Sequence, residues 1–94
     1  MLKFEWNEEK NKINRQKHCV WFEEAQTVFS DDYLRVFCDL DNSNSEERFI
    51  AIGYSSSSRL LLVVHCYRKN EQVIRIISAR MATKKERNVY EERI

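Results

Sequence analysis

Six cationic side chains stand out by type and position: Lys17, His18, Arg48, His65, Arg75 and Arg80, accompanied by the adjacent carboxylates Glu46 and Glu47. Such a set suits metal-independent cleavage of RNA, in which the ribose 2′-hydroxyl attacks the neighbouring phosphate in line and no cofactor takes part. That chemistry needs a base for the 2′-hydroxyl, an acid for the 5′-oxygen and positive charge for the crowded phosphorane. Arginine suits the third role, because its planar fork donates to two phosphate oxygens at once. His18 or Lys17 can shuttle protons, and Glu47 is another candidate base. The same residues serve equally well in a phosphate-binding face that catalyses nothing, and Lys17 and His18 also suit the simpler role of cations at a helix C-terminus.

Positioning these groups falls chiefly to one stretch, 72–90, in which a strand carrying Arg75 and Arg80 runs into a basic helix with Lys84, Lys85 and Arg87. Arg75 lies within an otherwise apolar strand face, so it needs a partner. In a regular strand Ile74, Ile76, Ser78 and Arg80 share one face, and Val73, Arg75, Ile77 and Ala79 the other. The two arginines can therefore share a site only if a bulge intervenes or the strand ends before Arg80. Thr83-Lys84-Lys85-Glu86 is a capping-box pattern that predicts a helix from Lys84, with Val89 inward and the Tyr90 phenol near the Glu86 carboxylate. Lys84, Lys85 and Arg87, together with His65, are expected to add contacts to an RNA backbone.

Upstream, residues 3–6 alternate as a short strand, and Asn7 can cap a polar helix over 8–17 in which Ile13 is the only large aliphatic residue. Phe22, Ala25, Val28 and Phe29 share one face of a second short helix. Strands are predicted over 34–40, 48–54, 60–67 and 72–79, the first with Leu34, Val36, Cys38 and Leu40 on one apolar face, separated by a polar loop at 41–47 and short turns. The order β-α-α-β-β-β-β-α describes an α+β domain, with a mainly antiparallel sheet packed by helices.

Composition bounds the function. Ninety-four residues make a single domain over 1–94, too small for a deep cavity and lid, so a site must be a shallow surface groove. Hydrophobic residues are 43% and charged residues 33%, within the globular range. The only glycine is Gly53 and proline is absent, which excludes a glycine-rich nucleotide loop. Cys19, Cys38 and Cys66 form no C-x-x-C pair, so they are read as free thiols in a reducing compartment, with no metal and no cofactor expected. The longest apolar run, Leu60–Val64, is too short to span a bilayer, and no signal peptide is visible; a soluble, cytoplasmic protein is expected. A net charge of +1 conceals an asymmetry: residues 31–47 carry six acids against Arg35, whereas 59–87 carry eight bases against Glu71 and Glu86. The basic half can meet phosphate.

Distinct motifs are spread along nearly the whole chain. They comprise Phe4-Glu5-Trp6-Asn7-Glu8-Glu9-Lys10-Asn11, Lys17-His18 with Val20, Phe22-Glu23-Glu24-Ala25 before Val28-Phe29, Glu46-Glu47-Arg48-Phe49, Ile52-Gly53 and Leu61-Leu62-Val63-Val64-His65. The most specific run is Ile74-Arg75-Ile76-Ile77-Ser78-Ala79-Arg80, leading into Ala82-Thr83-Lys84-Lys85-Glu86-Arg87 and Tyr90-Glu91. In this order they resemble the motifs of the BrnT family of bacterial toxins, and the resemblance implies a small RelE-like ribonuclease that inhibits growth by cleaving RNA. It further implies a hetero-oligomer with a BrnA-like ribbon-helix-helix antitoxin, which binds operator DNA so that the pair represses its own operon.

Two positions depart from the family pattern. Cys19 stands where glycine usually follows the Lys-His pair, so a left-handed helix end there would be costly or avoided. Trp21 stands where a small capping residue is common and cannot itself cap. Both flank Lys17-His18 and motivate a second reading, a catalytically weakened module that binds the antitoxin as a corepressor. A general RNA-binding domain is a third, less supported because no strand face gathers aromatic stacking platforms.

Overall fold

The computed structural model describes residues 2–39 and 47–92. Its elements run β1 (Lys3–Glu5), α1 (Glu8–His18), α2 (Phe22–Ala25), a 3₁₀ turn (Gln26–Ser30), β2 (Arg35–Cys38), β3 (Phe49–Tyr54), β4 (Leu60–Arg68), β5 (Val73–Met81) and α3 (Lys84–Glu91). This is the expected α+β order. The five strands form one sheet in the order β1-β5-β4-β3-β2, antiparallel throughout except where β1 lies parallel to β5.

Each sheet face has its own core. On one, Val20, Phe22, Ala25 and Val28 from α2 and its surroundings meet Ala51, Leu61, Val63, Ile74, Ile76 and Ala79. On the other, Tyr90 and Val89 of α3 pack on Ile52, Leu60 and Leu62, with Tyr54 and Val64 alongside. Central strand β4 is covered on both faces, which is why 60–64 reads as a continuous apolar run rather than an alternating one. Gly53 has a packing reason: a Cβ there would lie 2.8 Å from Leu34 Cδ1 and 3.3 Å from Val28 O. Its absence lets the segment after the 3₁₀ turn approach β3 closely.

Helix α1 is held by amides rather than by aliphatic packing. Ile13 is exposed, whereas Asn11 and Asn14 are its buried residues. Asn7 caps the helix, its side chain accepting from the Lys10 amide at 3.0 Å. Asn11 Oδ1 accepts the Phe22 N–H at 2.7 Å, supplying the cap for α2 that Trp21 cannot provide. Cys19 does adopt the left-handed conformation, with φ 59° and ψ 32°, and its N–H closes on Arg15 O. The costly geometry is accepted, not avoided.

Strand β5 departs from regular alternation. His65 pairs with Ile76 and Val64 with Ser78, so Ile77 is an extra residue in a bulge. Ala79 therefore joins Ile74 and Ile76 in the core, in place of Ser78, and β5 continues through Met81. Strand β2 also differs from expectation. It is an edge strand whose Val36, Phe37 and Cys38 are exposed, so its apolar residues form no buried face. Leu40, Glu46 and most of the predicted 41–47 loop lie outside the described residues.

Candidate functional site

The bulge decides where the two arginines point. Because Ala79 faces the α1–α2 core, Arg80 falls on the opposite face, and Arg75, between the core residues Ile74 and Ile76, falls there too. The regular-strand parity that separates them is thus overturned. Arg48, one residue ahead of β3, belongs to the same face by strand parity, since Ile50 and Ile52 lie in the α3-side core and the Asp39 N–H to Arg48 O bond extends the ladder in register. Arg48, Cys66 and Arg75 thereby form one cross-strand row, placing Arg48 and Arg75 about 10 Å apart at the usual strand spacing. Between this row and Arg80 lie Val64, Ile77 and Ser78, all half-buried, so the floor is shallow and only partly covered by α3.

Arg75 and Arg80 are held in different ways. Arg75 Nη1 donates to Glu5 Oε2 at 3.0 Å, and Arg68 Nε lies 3.6 Å from the same oxygen. Arg80 grips Glu86 with both terminal nitrogens at 2.8 Å, and Nη1 also donates to Met81 O. Glu86 completes the capping box, accepting from the Thr83 amide while its own amide donates to the Thr83 hydroxyl. The Arg80 hydrogen bond holds the Glu86 carboxyl below its usual range, against an opposing burial effect, and the same contact raises Arg80. A guanidinium has five N–H donors. The bonds formed leave four on Arg75 and two on Arg80 for a ligand, and both side chains are about one-third exposed. The Arg48 side chain makes no hydrogen bond or ion pair among the described residues; its carbonyl accepts the Asp39 N–H. The set can therefore bind phosphate without first breaking its supports.

Lys17 and His18 reach this region from the other side. Both are exposed at the end of α1. With Lys10, Ile13, Asn14 and the bulge residues Ile77 and Ser78, they line a shallow cavity of about 180 Å³ beside the free edge of β5. The bulge thus lies between the Lys17–His18 pair and the arginine face. Glu47 is exposed just before Arg48.

The remaining sequence candidates separate. His65 is fully buried and presents nothing to RNA: its ring stands edge-on to Phe29 at 4.9 Å and to Tyr67 at 5.2 Å. Burial pushes its imidazole pKa down, and its nitrogens lie 3.3 Å from Val63 O and from Tyr67 Oη. Arg87 is committed to the Tyr54 hydroxyl at 2.9 Å, whereas Lys84 and Lys85 are exposed at the start of α3. The Tyr90 phenol does not meet Glu86; it donates to Asp31 Oδ2 at 2.6 Å, an oxygen that also accepts the Tyr54 N–H. Among the described residues no three His, Cys, Asp or Glu side chains gather in a metal-binding arrangement. The sequence reading missed Asn11 and Asn14. Their signal was two poor helix formers three residues apart in a helix that lacks an apolar stripe.

Comparison with known proteins supplies independent findings. Residues 6–86 match the family model described as the ribonuclease toxin BrnT of type II toxin-antitoxin systems. No curated protein sequence matches the chain. Among solved structures, the crystal structure of the Brucella abortus ribonuclease toxin BrnT superposes with a TM-score of 0.66 at 23% identity, covering 89% of this chain and 100% of that one. At that identity the likeness establishes the fold.

Proposed function

Because the chain belongs to the BrnT family of ribonuclease toxins of type II toxin-antitoxin systems, we propose that it is an endoribonuclease that cuts RNA across the arginine-bearing face of its sheet, without a metal ion. The observation that carries this reading is the β5 bulge, which turns Arg75 and Arg80 to one face together with Arg48. Guanidiniums preorganised by Glu5 and Glu86 stabilise the charge that builds on the phosphorane, and their fixed positions avoid reorganisation at the moment of reaction. His18 or Lys17, at the same bulge, moves the proton of the 2′-hydroxyl or of the leaving oxygen, with Glu47 the other candidate base. Exposed Lys84 and Lys85 extend the backbone contacts.

The weakened-module alternative rested on Cys19 and Trp21. Cys19 takes the left-handed conformation that a glycine would take, and Asn11 replaces the missing cap, so the helix end carrying Lys17 and His18 is built despite both departures. That favours the active reading. The physiological partner in this reading is a BrnA-like ribbon-helix-helix antitoxin, which neutralises the toxin and carries the pair to operator DNA. The site of action is the cytoplasm, where the RNA is. No helix among the described residues is long and apolar enough to cross a membrane.

The test is cleavage of RNA by purified protein in EDTA. Products ending in 2′,3′-cyclic or 3′-phosphate are expected from 2′-hydroxyl attack. Inactivity on several RNAs, with and without ribosomes, would sink the proposal.

A further inference from the structure

The bulge needs something to hold it, because β1 pairs with β5 only at 73–75 and, among the described residues, no strand neighbours the outer edge beyond that. Asn14 of α1 fills that place. Its Oδ1 accepts the Ala79 N–H at 3.1 Å and its Nδ2 donates back to Ala79 O at 2.8 Å, the double exchange that a paired strand residue would make. The second Nδ2 hydrogen goes to Val20 O at 2.9 Å. Asn14 is 5% exposed and both its amide hydrogens are used. One side chain thus joins α1, the segment leading into α2, and the first residue after the bulge.

Resting on the ribonuclease reading above, we propose that Asn14 is a positioning residue: its clamp on Ala79 fixes the bulge that turns Arg80 to the arginine face, and sets Lys17 and His18 against that bulge. Two geometrical facts carry this. Ala79 is the residue whose inward placement decides the parity of Arg80, its neighbour. Lys17 and His18 follow Asn14 by three and four residues, so they share its helix face, and all three line the cavity with Ile77 and Ser78. Without the clamp, the edge of β5 is free to shift toward regular alternation, which exchanges the sides of Arg80 and Ala79. Asn14 touches no substrate and acts only through these groups.

The experiment is a double-mutant cycle between Asn14 and Arg80, measured on RNA cleavage. Asn14→Ala, shown folded at the assay temperature by its thermal transition, is expected to lower kcat about 100-fold, as small misplacements of reacting groups do. KM should change much less, because Arg48, Arg75, Lys84 and Lys85 remain in place to bind RNA. The double variant Asn14→Ala/Arg80→Ala should then lose less than the product of the two single losses, since a misplaced arginine has nothing further to lose and only the placement of Lys17 and His18 still depends on Asn14. Amide exchange at Ala79 should accelerate in Asn14→Ala. If the alanine variant does not fold, Asn14→Asp enters the same cycle; it is isosteric and keeps the acceptor for Ala79 N–H while losing both donors. Wild-type kcat in the folded variant, or effects that multiply in the double variant, overturns the proposal and leaves the ribonuclease reading standing. A wild-type protein that cuts no RNA overturns both.

Discussion

Arg59 and Arg80 each hold a glutamate through two guanidinium nitrogens, but the two pairs sit in different settings. Arg59 donates from Nε and Nη2 to Glu24, and Nη2 also reaches the Cys19 carbonyl at 3.0 Å; Ser55 Oγ donates to the same glutamate at 2.7 Å. That network ties α2, the strained end of α1, the turn after β3 and the start of β4, across 35 residues of sequence between the charges. Arg80 and Glu86 are only six residues apart, and their pair leaves guanidinium donors facing the open floor. A non-local, cross-linking pair closes loops that the unfolded chain leaves open; a local pair links neighbouring segments and presents charge. The difference teaches that geometry like that of a phosphate site is no evidence of function until one asks what else the pair holds together.

The sharpest way to break this contrast is to remove each arginine. Arg80→Ala should lower RNA cleavage by about 10²–10³-fold, the cost of losing one preorganised donor to a developing negative charge, with the thermal transition retained. Arg80→Lys should not restore it, because an ammonium lacks the planar fork. A collapsed melting transition in Arg80→Ala would instead make that pair structural. Arg59→Ala leaves a mostly buried Glu24 carboxylate without its charge partner, and should cost about 1–3 kcal/mol, measured by urea unfolding. The folded variant should retain cleavage.

Acid titration sharpens the same comparison. Glu24 and Glu86 both have carboxyls held below the usual value of 4.5, each foremost by its arginine hydrogen bond. As pH falls, the unfolded chain takes up these protons first, so the stabilisation is present above about 4.5 and disappears through the lower folded values. His65 adds an earlier stage. Burial lowers its folded value from 6.5, so the unfolded state protonates first and stability begins to fall below that pH. Stability followed by urea unfolding should therefore decline in two stages on acidification. His65→Gln should remove the upper stage, and Arg59→Ala should shrink the lower one.

The smallest effect concerns the helix end that Arg59 supports. Cys19→Gly removes the left-handed penalty at φ 59° and should stabilise the protein by about 1 kcal/mol, offset in part by added chain entropy. For a domain near this size that is roughly a 4–8 °C rise in melting temperature. A fall would mean that the thiol contributes packing that outweighs the strain.

Local signals were the legible ones. The capping box at Thr83–Glu86, the Asn7 cap, the antiparallel meander and the buried run in β4 depend on neighbours a few residues away, and all appear as expected. Arg75 read correctly as a charge requiring a partner, but Glu5, 70 residues away, could not be named from the sequence. His65 read as an RNA contact because its type is chemically versatile; only the packing of Phe29 and Tyr67 around it shows a buried ring. The exposed face of β2 escaped the alternation pattern because periodicity records which residues share a side, not whether anything covers it.

By itself, then, the sequence determined the element order, the helix starts, the residues able to carry phosphate chemistry and the family motifs, since each is written in short-range spacing and side-chain type. The tertiary structure decided which way Arg80 points. One extra residue in β5 reverses parity, and its placement depends on strand register and on an amide from a helix 65 residues away. Spacing along a chain cannot express such a choice, because both parities satisfy the local rules and only long-range packing distinguishes them.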